Sequence, residues 1–198
     1  MPSPETERRF VEIMSEWLVS LPHDLKILYE AASDENLDRE SRELAIGAII
    51  STVSPNELAR AERFDFLAYA DDCVLVRLAL RRVVASGDED SEFFRSRFSD
   101  FFDPLDDELA VCEAAMGDLY TWLDKRTDDL RKLEYKGKKI ATYLDDDEAA
   151  ELLYEDGLGF ATEYPVDEET IGDKLKKAST LLEVFERRKR EYDIKKTG

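Results

Sequence analysis

Histidine is almost missing from this 198-residue chain; only His23 occurs. That scarcity removes several chemistries. A histidine-rich zinc site and a His-Asp metal phosphohydrolase both need further histidines. A Ser-His-Asp triad would have to use His23, and no Gly-x-Ser-x-Gly elbow accompanies it. His23 is therefore expected in a loop or a helix cap. Cysteine is nearly as scarce. Cys73 and Cys112 sit in apolar contexts and are expected to pack as small hydrophobes. Two cysteines make neither a disulfide framework nor a structural zinc site, which points to a reducing cytoplasm. No run approaches the ~20 uncharged apolar residues that span a bilayer. The start of the chain, Met1-Pro2-Ser3-Pro4-Glu5, lacks a basic stretch followed by an apolar one, so no signal peptide is expected. Phosphate-cradling loops of the Gly-x-x-x-x-Gly-Lys-Ser/Thr and Gly-x-Gly-x-x-Gly types are absent, and Gly157-Leu158-Gly159 reads as a turn. No cofactor is expected.

Acid, by contrast, is plentiful. Asp and Glu number 47 against 28 Lys and Arg, a formal net charge of -19. Such a chain repels polyanions, because a phosphate backbone is bound through Lys and Arg that displace its counterions. Binding to nucleic acid or to an anionic membrane face is not expected of the body of the protein. The charge is also polarised. From Lys174 to Gly198 the net is +5, leaving -24 on the rest. The basic run Arg187-Arg188-Lys189-Arg190 is the candidate partner-binding segment. It suits an acidic protein surface, a nucleic acid or a second copy of this chain, although cations at a helix C-terminus also complement the helix dipole.

Apolar periodicity predicts a mainly α fold. Phe10, Ile13, Met14, Trp17 and Leu18 mark a helix over 6–20 that Pro22 ends or kinks. Leu25, Leu28 and Tyr29 suggest a second. Leu44 to Ile50 is apolar nearly all round and reads as a central helix, broken at Ser54-Pro55-Asn56. Phe64 to Val84 is the next. Phe93, Phe94, Phe98, Phe101 and Phe102 fit a short helix within 88–103. Asp103-Pro104 opens a long one, with Asp as N-cap and Pro at the first helical position. Its Leu105, Leu109, Cys112, Met116, Leu119 and Leu123 follow a heptad seam, read as a bundle helix before a dimeric coiled coil. Beyond residue 131 the pattern changes. Residues 132–144 suggest a β-hairpin around a Gly-containing turn, Asp146 to Glu155 a short helix, and Gly159 to Tyr164 a third strand. Asp167 is expected to cap a long final helix reaching about Tyr192. The expected organisation is an acidic helical bundle over 1–131 and a small α+β appendage over 132–198 that ends in the basic helix.

Carboxylate clusters are the remaining route to chemistry, since hard cations take oxygen ligands. Asp106-Asp107-Glu108 and Asp145-Asp146-Asp147-Glu148 are expected at helix starts, where negative charge is favourable anyway. The second run lacks the glycine of a calcium-binding helix-loop-helix, having Ala150 in its place. Asp71-Asp72 differs because it lies inside an apolar helical pattern. At least one of the two carboxylates should face inward, and a buried acid needs a partner; Arg81, Arg82 and Lys26 are the candidates. Asp71 and Asp72 are also the candidate ligands for magnesium or manganese.

One segment has a wider echo. Ile49-Ile50, Ser54-Pro55, Phe66-Leu67-Ala68-Tyr69-Ala70-Asp71-Asp72, Val74-Leu75-Val76 and Leu78 to Val84 fall in the order of an apolar helix, a Ser-Pro break, an Asp-Asp stretch and a second apolar helix. Residues 44–84 thus resemble the YkvA-like family of small bacterial helical proteins. They depart from it where Glu57 to Ala61 replace a repeated Pro-Asp element and Ala68 replaces the usual glycine. The family's function is unknown, so the resemblance implies a helical hairpin and no activity, and it directs attention to Asp71 and Asp72. Three functions suit this sequence. The first is a bacterial, cytoplasmic, non-enzymatic interaction protein, which would dock a protein partner or form a homodimer. The second is a carboxylate–metal enzyme acting on a phosphorylated small molecule through Asp71 and Asp72. The third is an acidic mimic of nucleic acid.

Overall fold

The computed structural model describes residues 2–54, 66–171 and 175–197. Its first helix, α1, spans Pro4–Ser33, capped by the Ser3 hydroxyl, which accepts from the Thr6 N–H. It runs straight past the expected end at Pro22, so one helix replaces the two expected, and His23 lies mid-helix rather than in a loop or cap. Proline removes the N–H that would bond the carbonyl four residues earlier. That carbonyl belongs to Leu18, and the hydroxyl of Tyr164 donates to it at 2.5 Å. A distant tyrosine therefore satisfies the acceptor that Pro22 leaves open.

Helix α2 (Arg39–Val53) is buried along Leu44 to Ile50, as its all-round hydrophobicity requires. A 3-10 turn at Phe66–Tyr69 leads into α3 (Ala70–Val83). These two helices pack on α1 and on each other. The expected features at Pro55-Asn56, Glu57 to Ala61 and Phe64 lie outside the described residues, as does Lys174. The phenylalanine-rich stretch forms two short helices, α4 (Glu89–Arg97) and α5 (Ser99–Phe102), instead of one.

The heptad seam does not run through one helix. Helix α6 (Leu105–Met116) ends at Gly117, whose φ of 54° and ψ of -120° break the ladder, and α7 (Asp118–Leu130) restarts at a new angle. Leu105, Leu109, Cys112 and Met116 are buried in the chain's own core. Asp103 is not the N-cap; Pro104 stands at the junction without a side-chain cap.

A two-stranded antiparallel hairpin follows, β1 (Glu134–Tyr135) with β2 (Lys138–Lys139). Lys136 and Gly137 both take positive φ, the requirement of a tight two-residue turn. Helix α8 (Thr142–Asp145) leads to α9 (Asp147–Glu163), whose N-cap is Asp146. The third strand expected over 159–164 is therefore absent, and those residues up to Glu163 are helical. Gly157 explains how a helix tolerates the glycines. A Cβ there would lie 2.2 Å from the Tyr29 hydroxyl oxygen, so only glycine lets α9 approach α1 this closely. Asp167 caps a short helix, α10 (Glu168–Ile171), and the final helix α11 begins later, spanning Ala178–Thr197.

The fold is mainly α, with one small hairpin and a long last helix. One apolar cluster runs from Phe10 through Leu130, Ile140 and Leu153 to Phe185, so residues on both sides of position 131 share a core. Among the described residues no helix is long and apolar enough to cross a membrane.

The Tyr164–Leu18 bond generates a double-mutant test. Tyr164→Phe strands a buried carbonyl and is expected to cost about 1–3 kcal/mol in chemical denaturation. In a Pro22→Ala background the restored N–H serves Leu18, and the same substitution should cost markedly less. Equal costs in both backgrounds would show that the tyrosine does not compensate for the proline.

Candidate functional site

Asp71 and Asp72 occupy the first turn of α3, where the helix dipole favours negative charge. Both are buried, at 6% and 7% exposure, so here both carboxylates face inward. Their partners are not those expected. Arg126 of α7 reaches Asp71 Oδ2 at 3.2 Å, and Arg188 of α11 approaches Asp71 Oδ1 at 3.3 Å. Arg188 also donates to the Ala68 carbonyl in the preceding 3-10 turn. Arg81 and Arg82 are engaged with Asp124 instead, and Lys26 is exposed.

The arginines are themselves held in place. The Arg126 guanidinium lies 5.2 Å from the Trp122 ring and 4.9 Å from the Tyr192 ring, favourable cation–aromatic distances. The Tyr192 hydroxyl donates to Asp129 at 3.0 Å. Arg188 has only 9% of its side chain exposed and also lies near Glu191. Of the four expected partner-binding residues, Arg188 thus faces the chain's interior. Arg187 and Lys189 are half-buried and Arg190 is exposed.

Asp72 makes no hydrogen bond or ion pair among the described residues. It lines a cleft of about 180 Å³ together with Ser51, Ser54, Asp71, Arg126, Arg188, Glu191, Tyr192 and Lys195. Burial, and after it the neighbouring Asp71 carboxylate, push the Asp72 carboxyl well above the ordinary carboxylate range; Arg188 and Arg126 oppose them. A second buried pair lies in the core. Asp24 and Arg77 are 2.8 Å apart, Ser20 bonds to both, and the Arg77 guanidinium sits 4.2 Å from the Trp17 ring. Burial raises the Asp24 pKa, with Arg77 the main opposing influence.

This arrangement suits charge neutralisation better than metal ligation. A divalent cation at Asp71 would compete with two guanidinium groups already in contact. Among the described residues no three His, Cys, Asp or Glu gather as a ligand set. The remaining acid runs behave as helix-start residues: Asp106, Asp107 and Glu108 fill the first turn of α6, and Asp146 caps α9, while Asp145 pairs with Arg39 at 2.7 Å. Cys73 and Cys112 are free and buried, and burial raises both thiols.

A different surface was not singled out by the sequence pattern. Helix α9 turns Ala149, Leu153 and Gly157 inward, and leaves Leu152, Tyr154 and Leu158 exposed at 44%, 50% and 51%. Around them stand Asp147, Glu148, Glu151, Glu155 and Glu163, all exposed. Between Lys139 and Lys174 the chain has twelve Asp and Glu and no Lys, Arg or His. The signal for this face was the alternation of leucine and glutamate, masked by reading Gly157-Leu158-Gly159 as a turn.

No family model, curated protein or solved structure matches this chain. The resemblance of residues 44–84 to YkvA-like proteins therefore stands on those residues alone.

Two substitutions test the buried cluster. Arg188→Met leaves Asp71 short of one cation and is expected to cost about 3–5 kcal/mol, the scale for breaking a buried pair. For Asp72 the sign follows from linkage. Its folded pKa lies above its unfolded value, so the unfolded state sheds the proton first and stability falls as pH rises from about 4. Asp72→Asn should therefore match the wild type near pH 4 and exceed it at pH 7, measured by denaturant midpoints. A variant less stable at pH 7 than at pH 4, relative to wild type, would mean that Asp72 is held ionised.

Proposed function

We propose that this protein is a non-enzymatic, cytoplasmic interaction protein whose α9 face docks a basic segment of a protein partner. The observation that carries this reading is the exposure of Tyr154 and Leu158, one turn apart on the same face of α9, within a stretch that has no basic residue. Contiguous exposed apolar side chains mark interaction sites more often than chance exposure does. Acidic surroundings steer a cationic partner and repel nucleic acid. Elsewhere on the surface, several acids are matched by arginines: Arg8 with Glu5 and Glu12, Arg97 with Glu30, Arg131 with Glu40 and Glu43. On α9, among the described residues, only Asp156 is so matched, by Lys136.

The carboxylate–metal alternative has less support, because Asp71 is contacted by Arg126 and Arg188. The nucleic-acid mimic needs acids in rows without apolar residues between them, which α9 does not offer. Docking through the basic final helix is weakened by the inward position of Arg188.

The test is affinity purification from the native cell with the full chain and with a Leu158→Glu/Glu151→Lys/Glu155→Lys variant. A basic protein should be retained by the wild type at low salt, released at moderate salt, and retained at least about tenfold less by the variant, equivalent to about 1.4 kcal/mol. Retention indifferent to these three positions sinks the proposal. So does turnover of a small molecule that Asp71→Ala abolishes.

A further inference from the structure

Beside the α9 face lies a groove of about 460 Å³ between α9, α8 and the end of α1. Tyr29 and Tyr154 supply its aromatic walls, and Tyr143, also on its lining, is buried. The rings of Tyr29 and Tyr154 meet edge to face at 5.4 Å. The Tyr29 hydroxyl donates to the Leu153 carbonyl at 2.7 Å, and that of Tyr143 to the Tyr135 carbonyl at 2.6 Å. These bonds fix two of the three rings before any ligand arrives.

Carboxylates also line the groove. Among the described residues no ion pair engages Glu35, Asp147 or Glu151. Glu30 lines it too but is paired with Arg97 at 3.0 Å. One cation is present: Arg42 donates its Nε–H to the Ala32 carbonyl at 3.0 Å at the end of α1. The acids outnumber it, so the groove remains negative.

Resting on the docking reading above, we infer that this groove is the anchor site for an arginine side chain of the partner. A flat, delocalised guanidinium stacks on aromatic faces and donates to several carboxylates at once. A lysine ammonium is a compact and more strongly hydrated charge, and gains less from tyrosine walls. An apolar side chain would desolvate the unpaired carboxylates without replacing their hydrogen bonds. Leu158, one turn beyond Tyr154 on the same face of α9, then receives an apolar residue of the same segment, so the partner segment is amphipathic and carries arginine. Anchors of this kind, set in a pocket and ringed by weaker contacts, dominate protein interfaces.

The test uses two probes on the isotope-labelled full chain, read by NMR. N-acetylarginine amide presents a guanidinium with no apolar face. A helix-forming peptide of alternating leucine and arginine patches presents both. The arginine amide is expected to shift the resonances of Tyr29, Glu151 and Tyr154 saturably. Both Tyr154→Ala and Glu35→Gln/Glu151→Gln should weaken it about tenfold, while leaving the rest of the spectrum folded. N-acetyllysine amide with a free side-chain amine should bind more weakly. Shifts spread evenly over the acidic surface, or unaffected by either variant, overturn the anchor. If the peptide still binds and Leu158→Glu abolishes it, the docking reading survives that loss. If neither probe binds, both fail. Groove resonances that move with protein concentration alone would make the occupant a second copy and overturn the arginine assignment.

Discussion

Two adjacent carboxylates buried at the head of α3 govern how the last third of the chain is placed. Charge taken out of water needs opposite charge nearby, or it reverts to the neutral form. Asp71 takes the first solution. Arg126 comes from α7 and Arg188 from α11, so one carboxylate ties together three helices that are remote in sequence. At an effective dielectric near 20, each contact at this separation is worth about 5 kcal/mol before desolvation, which costs several kcal/mol per ion. The cluster thus adds little net stability. Its effect is directional: α11 cannot slide or rotate without stranding a buried charge.

Asp72 is pushed toward the other solution. Among the described residues it has no hydrogen-bond partner, and Asp71 beside it already occupies the two guanidinium groups. Holding the proton avoids a second uncompensated charge. Burial therefore favours the neutral form of Asp72, beside a carboxylate that faces two arginines. The two arginines in contact with Asp71 separate this site from clusters where several carboxylates converge on open space. The chain's formal polarity also softens. Part of the basic excess in the final helix is spent inside the fold rather than displayed.

Much of this architecture can be read from the amino acids. The buried character of Leu44 to Ile50, the hairpin at Lys136-Gly137 and a long last helix all follow from periodicity and turn chemistry. So does an inward place for at least one carboxylate of Asp71-Asp72. What local pattern cannot supply is a partner from far along the chain. Pro22 looks like a helix end because its cost is local, while its compensation comes from Tyr164. Gly157 looks like a turn because its purpose, the close approach of Tyr29, is tertiary. Gly117 carries the opposite lesson, since its positive φ interrupts a seam whose spacing alone reads as continuous. The arginines of Asp71 were misassigned for the same reason, nearby sequence being favoured over nearby space.

The same distinction bears on the α9 face. Solubility alone accounts for exposed glutamates, and a chain of net charge -19 has no shortage of them. It does not account for leucines and a tyrosine left half in water on the same helix, since each half-exposed side chain forgoes about half of the ~1.5–3 kcal/mol that full burial contributes. Nor does it account for the absence of basic residues, which on several other helices pair with acids and cover apolar surface with their stems. With no arginine or lysine of its own, α9 has, among the described residues, no ion pair on its acids other than Asp156, and its leucines are bare. A surface that binds nothing gains from neither change. A surface that binds an amphipathic cation gains from both, because the partner supplies the missing charge and the missing cover in one segment.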